Sequence, residues 1–248
     1  MTALRSLLLA VGFLTGVPVR VARVSDQELA RSMAFFPLIG AGLGGSAYAL
    51  AWLLQGRLWP ALIGALLVTT LAVLTRGLHL DGVADTFDGL GAARGEPARA
   101  LEVMRDPHIG AHGATALVLV LSLKVLAVCE LAHAQRLTAL VAAPALARWC
   151  IVPLAMAFPY ARADGLGKPF QQYVGWLELA VATAACGLML YLAGSPALLL
   201  PVAIAATLAA GFATFAARRL RGLTGDVYGA VIELAETAFL LAACVRAF

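Results

Sequence analysis

The stretch His112–Ala132, with the sequence HGATALVLVLSLKVLAVCELA, decides the fold class. An α-helix rises about 1.5 Å per residue and the hydrocarbon core of a bilayer is about 30 Å thick, so about 20 apolar residues cross it. This stretch has that length, and Lys124 and Glu130 are its only acidic or basic side chains apart from His112. It therefore predicts a membrane-spanning helix.

The composition extends this prediction to the whole chain. Of the 248 residues, 62% are hydrophobic and 13% are charged, and the mean hydropathy is +0.89. A soluble domain carries about 25% charged residues. We predict an all-α, polytopic membrane helical bundle of about seven transmembrane helices, folded as a single domain over residues 1–248. The other predicted spans are Met33–Leu54, Leu58–Thr75, Leu137–Phe158, Val174–Ala193, Ala197–Ala216 and Tyr228–Ala247.

The basic residues predict the orientation of the chain. The net charge is +4, but no block of Lys and Arg is present, so we expect no nucleic-acid partner. The segments between the spans form two alternating sets, with twelve basic residues in one and three in the other. Since loops rich in Lys and Arg face the cytoplasm, the first set is predicted to be cytoplasmic. It comprises Arg20–Ser32, Arg76–Ala111, Pro159–Tyr173 and Ala217–Val227, whereas the second set holds Arg57, Arg136 and Arg246.

The N-terminal apolar run Leu7–Leu14 follows Arg5, as in a signal peptide. Gly16–Val19 offers no small-residue cleavage site, so we expect the segment to be retained, lying on or dipping into the membrane.

The four cysteines each stand alone in an apolar stretch without metal-ligand spacing, which indicates packing residues.

Three aspartates form the first group of residues that indicates chemistry. Asp81, Asp85 and Asp88 lie at positions i, i+4 and i+7 in the sequence His79–Gly89. On a helix these offsets fall within about 60° of arc, so the three carboxylates share one face and repel each other unless a cation lies between them. Mg²⁺ prefers hard oxygen ligands and is usually held by one or two carboxylates plus substrate phosphates. The simpler interpretation is a solvated acidic stretch.

A second cluster follows in Glu102–Gly113. Arg105 is a candidate phosphate ligand, because a guanidinium pairs with phosphate oxygens in a bidentate fork. A single arginine in a cytoplasmic loop can also act only as a topology determinant. His108 and His112 have an i, i+4 spacing, but Ile109 rather than Glu follows the first histidine, which disfavours zinc.

Charged residues inside the predicted spans form a third group. Lys124 and Arg148 are expected to face a polar interior, because a charge at membrane depth costs on the order of 2.5–3.5 kcal/mol. For Lys124, snorkelling or a misplaced span boundary is the alternative. Asp226 resembles a helix N-cap. Glu233 and Glu236 follow inside the last span, as partners of Lys124 and Arg148 or as further metal ligands.

Several segments together resemble the cobalamin synthase family, the adenosylcobinamide-GDP ribazoletransferases. The resemblance covers nearly the whole chain, and the three-aspartate segment and Met104-Arg105-Asp106 are its most specific parts. Gly16 and Ala111 depart from the family, which often has Arg and usually has Thr there. The matching segments are Phe13–Thr15, Val17-Pro18, Phe36–Gly40, Gly77–Gly89, Glu102–Asp106, Tyr160–Arg162, Gly165–Gly167 and Thr224–Asp226, with Glu233 and Glu236.

The resemblance implies an Mg²⁺-dependent transfer in the cytoplasmic membrane of a prokaryote, with the active site facing the cytoplasm and lipid around the helices. A hydroxyl of α-ribazole, or of its 5′-phosphate, displaces GMP from adenosylcobinamide-GDP to give adenosylcobalamin or its phosphate. The resemblance leaves open a homo-oligomer or an association with other enzymes of cobalamin synthesis.

The same resemblance assigns expected roles to residues. We expect Asp81, Asp85 and Asp88 to bind Mg²⁺, one of them doubling as the base, and His79 and His112 to move protons or orient an aspartate. The expected substrate-binding residues are Arg105, Asp106, Lys124, Arg148, Arg162, Lys168, Asp226, Glu233 and Glu236.

Two other classes compete with this interpretation. A transporter or channel would use Asp81, Lys124, Arg148 and Glu233 as an ion or proton relay spread through the membrane, whereas an enzyme gathers its acids at one face. The acid spacing also resembles the CDP-alcohol phosphotransferases, by analogy only. A structural scaffold would explain neither the acid spacing nor the charges inside the spans.

Overall fold

A computed structural model describes residues 3–93, 95–193 and 196–245 of the chain. Arg94 and Arg246 of the charge count, and the end of the span predicted to reach Ala247, lie outside these residues. Within them the chain is helical, with a single β-bridge between Tyr160 and Leu223 and no β-strand. The α-helices are α1 Ala3–Leu14, α2 Asp26–Arg31, α3 Phe36–Leu54, α4 Pro60–Leu74, α5 Leu78–Ala92, α6 Pro97–Val103, α7 Ala111–His133, α8 Ala139–Ala157, α9 Lys168–Tyr173, α10 Trp176–Leu192, α11 Leu199–Leu220 and α12 Gly225–Ala243. A short 3₁₀ turn at Ser32–Phe35 joins α2 to α3, and a second one at Pro196–Leu198 precedes α11.

The predicted all-α membrane bundle is confirmed, but the count of seven spans is not. In the described part of the chain, four helical segments are long and apolar enough to cross a membrane, or five if α4 and α5 count as one bent span. The four are Asp26–Leu54, Ala111–His133, Ala139–Ala157 and Pro196–Leu220. The other predicted spans fall short because α4 and α10 have 15 and 17 residues and α12 carries three acidic side chains.

The junction between α4 and α5 sets the position of the acidic residues. The two helices meet at an angle of 89°. Arg76 and Gly77 between them have φ values of 53° and 68°, a left-handed conformation that glycine adopts at little cost. The predicted connecting segment Arg76–Ala111 therefore begins with a helix that turns sharply away from α4, and its three aspartates lie outside the spans predicted from the sequence.

α12 is the centre of the bundle and packs against α5, α7, α8 and α11. Small residues allow the closest approaches, as is common in membrane helices. A Cβ atom on Gly82 of α5 would lie 2.6 Å from the Asp226 carbonyl oxygen and 3.2 Å from Gly229 Cα of α12. The aspartate-bearing helix is therefore held directly against the N-terminal turn of α12.

Candidate active site

The aspartates of α5 share one face of the helix, as predicted, but their surroundings change along it. Asp81 is exposed, Asp85 is half-buried and Asp88 is 9% exposed. This face of α5 becomes more buried toward the C-terminal end of the helix, because the N-terminus of α7 packs against the later turns of α5. A Cβ on Gly113 would lie 2.7 Å from the Ala84 carbonyl oxygen. The first two carboxylates are therefore open to a ligand, and the third lies at a helix junction.

Asp88 anchors α7 to α5. Its carboxylate accepts hydrogen bonds from the backbone N–H groups of Gly110, at 2.7 Å, and Gly113, at 2.8 Å. A negative charge at a helix N-terminus is favourable because of the unpaired N–H groups there. A carboxylate offers about four lone-pair sites, so these two bonds leave it some capacity as a ligand.

Asp85 lies among the other carboxylates. Burial first, and then the charges of Asp81 and Asp226, raise its pKa to about 7, while Arg162 works in the opposite direction. A raised carboxyl pKa means that the ionised form is poorly compensated. This position would gain from a bound cation.

A cavity of about 910 Å³ opens beside Asp81 and Asp85. Arg105 and Asp106 line it, as expected for substrate-binding residues. Arg76 also lines it, although the sequence indicates only a topological role for this residue. The Arg76 guanidinium donates a hydrogen bond to the Thr15 carbonyl oxygen at 3.1 Å. This bond holds the segment after α1 against the wall of the cavity. The place of Arg76 immediately before Gly77 and the acidic helix is the signal that could have identified it.

His108 contacts Asp106 in the same wall. The two side chains pair at 2.7 Å between Nδ1 and Oδ1, and the backbone N–H of His108 also donates to Asp106. These hydrogen bonds, that of the backbone first, lower the pKa of Asp106. Asp106 is therefore held as an anion and fixes the loop that carries Arg105.

A second cavity, of about 260 Å³, adjoins the first, and Asp81 lines both. Arg162 and Asp226 line the smaller cavity and form an ion pair at 2.8 Å. Burial raises the pKa of Asp226 although the Arg162 guanidinium opposes the shift. His79, two residues before Asp81 on α5, lines this cavity too. The structure thus brings seven predicted site residues to two adjoining cavities: His79, Asp81, Asp85, Arg105, Asp106, Arg162 and Asp226.

Four predicted substrate-binding residues instead form a buried ion-pair network. Lys124 Nζ of α7 lies 2.8 Å from Glu233 Oε2 and 2.7 Å from Glu236 Oε1, both on α12. Arg148 of α8 pairs with the other oxygen of Glu236. The space among them is about 10 Å³, enough for about one water molecule. The structure thus shows the expected pairing of acids with bases inside the bundle, and their contact with substrate stays a prediction.

Two further predicted residues lie outside both cavities. Lys168 donates through Nζ to the Ala163 carbonyl oxygen and lines neither of them. His112 is exposed and lines a neighbouring cavity of about 480 Å³ together with Asp88 and His108. The structure therefore does not place these two side chains beside Asp81.

The carboxylates suit a metal ion that is completed by a ligand. In the ranges that the structure describes, no three His, Cys, Asp or Glu side chains form a ready metal site. Mg²⁺ typically takes one or two carboxylates and obtains its remaining oxygen ligands from phosphates and water. Asp81 and Asp85 beside a cavity with two arginines fit that donor set.

The fold and site define a class of protein: a helical membrane protein with a carboxylate and arginine site suited to phosphate groups. The model of the family described as cobalamin-5-phosphate synthase matches residues 6–244. The chain therefore belongs to the cobalamin-5-phosphate synthase family, which confirms the resemblance.

Individual relatives agree with the family assignment. The chain is 40% identical over 237 residues to an adenosylcobinamide-GDP ribazoletransferase of Desulforamulus reducens, covering 94% of this chain and 93% of the relative. It is 41% identical over 251 residues to a protein of the same name from Klebsiella pneumoniae, covering 96% and 99%. No solved structure matches the chain.

Proposed function

We propose that this chain is an adenosylcobinamide-GDP ribazoletransferase, which joins adenosylcobinamide-GDP to α-ribazole or α-ribazole 5′-phosphate and releases GMP. The observation that carries the proposal is the placement of Asp81, Asp85, Arg76 and Arg105 around one cavity of about 910 Å³. This volume lies in the range of roughly 300–1,000 Å³ typical of small-molecule sites. The names of the relatives supply the reaction.

The reaction is a phosphoryl transfer that needs chiefly positioning and charge neutralisation. The acceptor hydroxyl oxygen forms a bond to the phosphorus that carries cobinamide, and the bond from that phosphorus to the oxygen bridging to GMP breaks. The hydroxyl proton passes to a carboxylate of α5, and GMP leaves with the bridging oxygen. Arg76 and Arg105 hold the diphosphate by charge-assisted hydrogen bonds.

We propose Mg²⁺ as the cofactor, with Asp81, Asp85 and Asp88 as the candidate residues that hold it. When bound, a divalent cation neutralises charge on the diphosphate oxygens. Asp85 supports this assignment because its ionised form lies close to other carboxylates. Asp81 and Asp85 line the larger cavity, whereas Asp88 lines the neighbouring cavity of His112 and keeps some oxygen capacity beyond its two backbone hydrogen bonds.

We place the enzyme in the cytoplasmic membrane of a prokaryote, with the cavities facing the cytoplasm. The support is the distribution of basic residues, twelve against three between the two sets of connecting segments. Lipid contacts the apolar outer faces of α7 and α11, where leucine side chains are exposed. A homo-oligomer or an association with other enzymes of cobalamin synthesis stays a prediction.

The transporter alternative loses its main support in the structure. Lys124, Arg148 and Glu236 are 4%, 2% and 1% exposed, and they pair with each other or with Glu233. A relay needs a continuous path between such groups and water, and the space here holds about one water molecule. The network is therefore structural.

The direct experiment incubates purified protein in detergent or nanodiscs with adenosylcobinamide-GDP, α-ribazole and Mg²⁺. We expect adenosylcobalamin and GMP in equal amounts, and no GMP when α-ribazole is left out. GMP release without acceptor would indicate a pyrophosphatase, and a lack of product with both substrates present would refute the proposed function.

A further inference from the structure

The smaller of the two connected cavities has walls suited to a flat apolar group. Its volume of about 260 Å³ is below the roughly 300–1,000 Å³ of sites for drug-sized ligands. Phe13, Phe170, Ile151 and Ile232 line it. The rings of Phe13 and Phe170 meet edge to face with centroids 4.9 Å apart, which fixes the wall. The space fits one ring system and not a corrinoid.

Three polar atoms in this cavity's lining residues are buried and have no partner within the described chain: His79 Nε2, Arg162 Nε and the Tyr228 hydroxyl. His79 and Tyr228 are 3% and 4% exposed, and neither His79 Nε2 nor the Tyr228 hydroxyl is hydrogen-bonded within the described chain. His79 Nδ1 faces Arg148 Nη2 at 3.4 Å. An arginine can only donate, so Nδ1 is the acceptor and Nε2 carries the hydrogen. An unmade hydrogen bond at a buried donor is unfavourable, and a bound ligand that accepts this hydrogen bond would remove the cost.

The cavity also has a defined position relative to the chemistry. Phe13, Leu78 and Asp81 line both this cavity and the larger one that holds Asp85 and Arg105. A ligand whose ring occupies the smaller cavity therefore reaches toward Asp81 with the group attached to the ring. The Arg162–Asp226 ion pair lies in the same wall and provides polar partners for that group.

We infer that the smaller cavity binds the base of the acceptor nucleoside, and that the Tyr228 hydroxyl donates to the free ring nitrogen of that base. This inference rests on the proposed function and adds the acceptor site and its specificity. The ligand is the α-ribazole of the proposed function, an α-riboside of an apolar bicyclic nitrogen heterocycle. Guanine fits less well, because its donors and acceptors outnumber the three unpartnered polar atoms and would leave buried groups unpaired.

The first test removes the hydroxyl with Tyr228→Phe and measures KM at saturating adenosylcobinamide-GDP. A lost neutral hydrogen bond is expected to raise the KM for α-ribazole about 2- to 10-fold. The KM for adenosylcobinamide-GDP should not change. With a phenyl α-riboside, whose base has no ring nitrogen, the variant and the unmodified enzyme should show the same KM. Tyr191→Phe, at an 80% exposed tyrosine of α10, is the matched control.

The second test fills the cavity with Ile232→Phe. We expect a larger increase in KM for α-ribazole than Tyr228→Phe gives, and a smaller one for an imidazole α-riboside. Leu208→Phe, at a 40% exposed position of α11, is the control. If Ile232→Phe does not fold, Tyr228→Phe decides.

The inference is overturned if neither variant changes the KM for α-ribazole, if Tyr228→Phe affects both ribosides equally, or if the donor KM rises instead. In these cases the unmodified enzyme still transfers, so the proposed function stands. If the unmodified enzyme releases no GMP with both substrates, it is the proposed function that fails.

Discussion

Asp85 is the residue on which the proposed chemistry depends most. It lies near Asp81, Asp88 and Asp226 and lines the larger cavity. Asp85→Asn keeps the shape of the side chain but removes its charge. Metal-assisted charge stabilisation contributes several kcal/mol and each ~1.4 kcal/mol is tenfold in rate, so we expect transfer to fall at least about 100-fold. GMP release measures the loss.

The control for this variant is Asp164→Asn, at an exposed aspartate that lines neither cavity. It should retain normal turnover. Both variants should elute as the unmodified protein does in size-exclusion chromatography. Near-normal turnover of Asp85→Asn would refute the role assigned to this carboxylate.

The pKa of Asp85 predicts a pH-dependent requirement for Mg²⁺. Because burial and neighbouring carboxylates raise this pKa to about 7, protons occupy the group below pH 7 and compete with the cation. The Mg²⁺ concentration for half-maximal GMP release should rise about tenfold per pH unit below pH 7 and level off above it. The measurement is a Mg²⁺ titration at several pH values. A half-maximal concentration that stays constant from pH 6 to pH 8 would contradict the assignment.

The sequence predicts which types of residue occur at the site better than it predicts which of these residues lie together in space. Asp81, Asp85 and Arg105 follow from spacing and charge alone. The position of Arg76 in the wall of the larger cavity was missed, because a basic residue at the end of a span is ordinarily explained by membrane topology. Lys168 was placed at the site although its Nζ turns to a neighbouring carbonyl oxygen, which only the loop geometry reveals.

At the scale of elements, the contact between α5 and α12 positions the acidic face. Gly82→Ala would place a Cβ 2.6 Å from the Asp226 carbonyl oxygen and so separate the two helices. Overpacking of this kind costs about 1–3 kcal/mol. We expect lower thermal stability and a loss of transfer larger than the loss of folded protein, since Asp81 moves relative to Arg162. Melting temperature and GMP release are measured on the same sample.

Gly42→Ala on α3 is the matched control. A Cβ at Gly42 meets nothing within 4 Å, and alanine is favoured over glycine in a helix by about 1 kcal/mol. Stability should stay equal or rise, and transfer should not change. Equal behaviour of the two variants would show that the α5–α12 contact does not position the site.

Most helices, but not their roles, could be predicted from hydropathy. α7 and α8 occupy the predicted spans closely. α5 was predicted within a cytoplasmic segment without its 89° angle to α4, because the bend depends on backbone conformation at Arg76 and Gly77. α12 is long enough to span a membrane, but its acidic side chains lower its hydropathy. In the folded protein Glu233 and Glu236 pair with Lys124 and Arg148.

At the scale of the whole molecule, the network of Lys124, Arg148, Glu233 and Glu236 joins three helices. Lys124→Met leaves two buried carboxylates facing one arginine. Removing one partner of a buried ion pair costs about 3–5 kcal/mol, so we expect a decrease of that size in the free energy of unfolding. Denaturant unfolding in detergent measures it.

A double variant distinguishes charge balance from packing. Lys124→Met with Glu233→Gln leaves one arginine and one glutamate, so neutrality is restored. We expect the double variant to be more stable than Lys124→Met alone. Additive destabilisation would mean that the network does not act as a charge-balanced unit.

Labelling tests the proposed orientation. Asp164→Cys lies in a segment predicted to be cytoplasmic, and Ala134→Cys lies in one predicted to face the other side. The native cysteines are buried or half-buried, so their background should be low. A membrane-impermeant maleimide should label Asp164→Cys only in inverted vesicles and Ala134→Cys only in intact cells. The opposite pattern would reverse the topology.

The most direct measurement of the central claim is GMP release from adenosylcobinamide-GDP by the purified protein with α-ribazole, with and without a chelator of divalent cations. The proposed chemistry predicts release that stops on chelation, returns when Mg²⁺ is added in excess, and is at least about 100-fold slower in Asp85→Asn with Mg²⁺ present. Release that continues undiminished in the presence of chelator, or at a normal rate in Asp85→Asn, would contradict it.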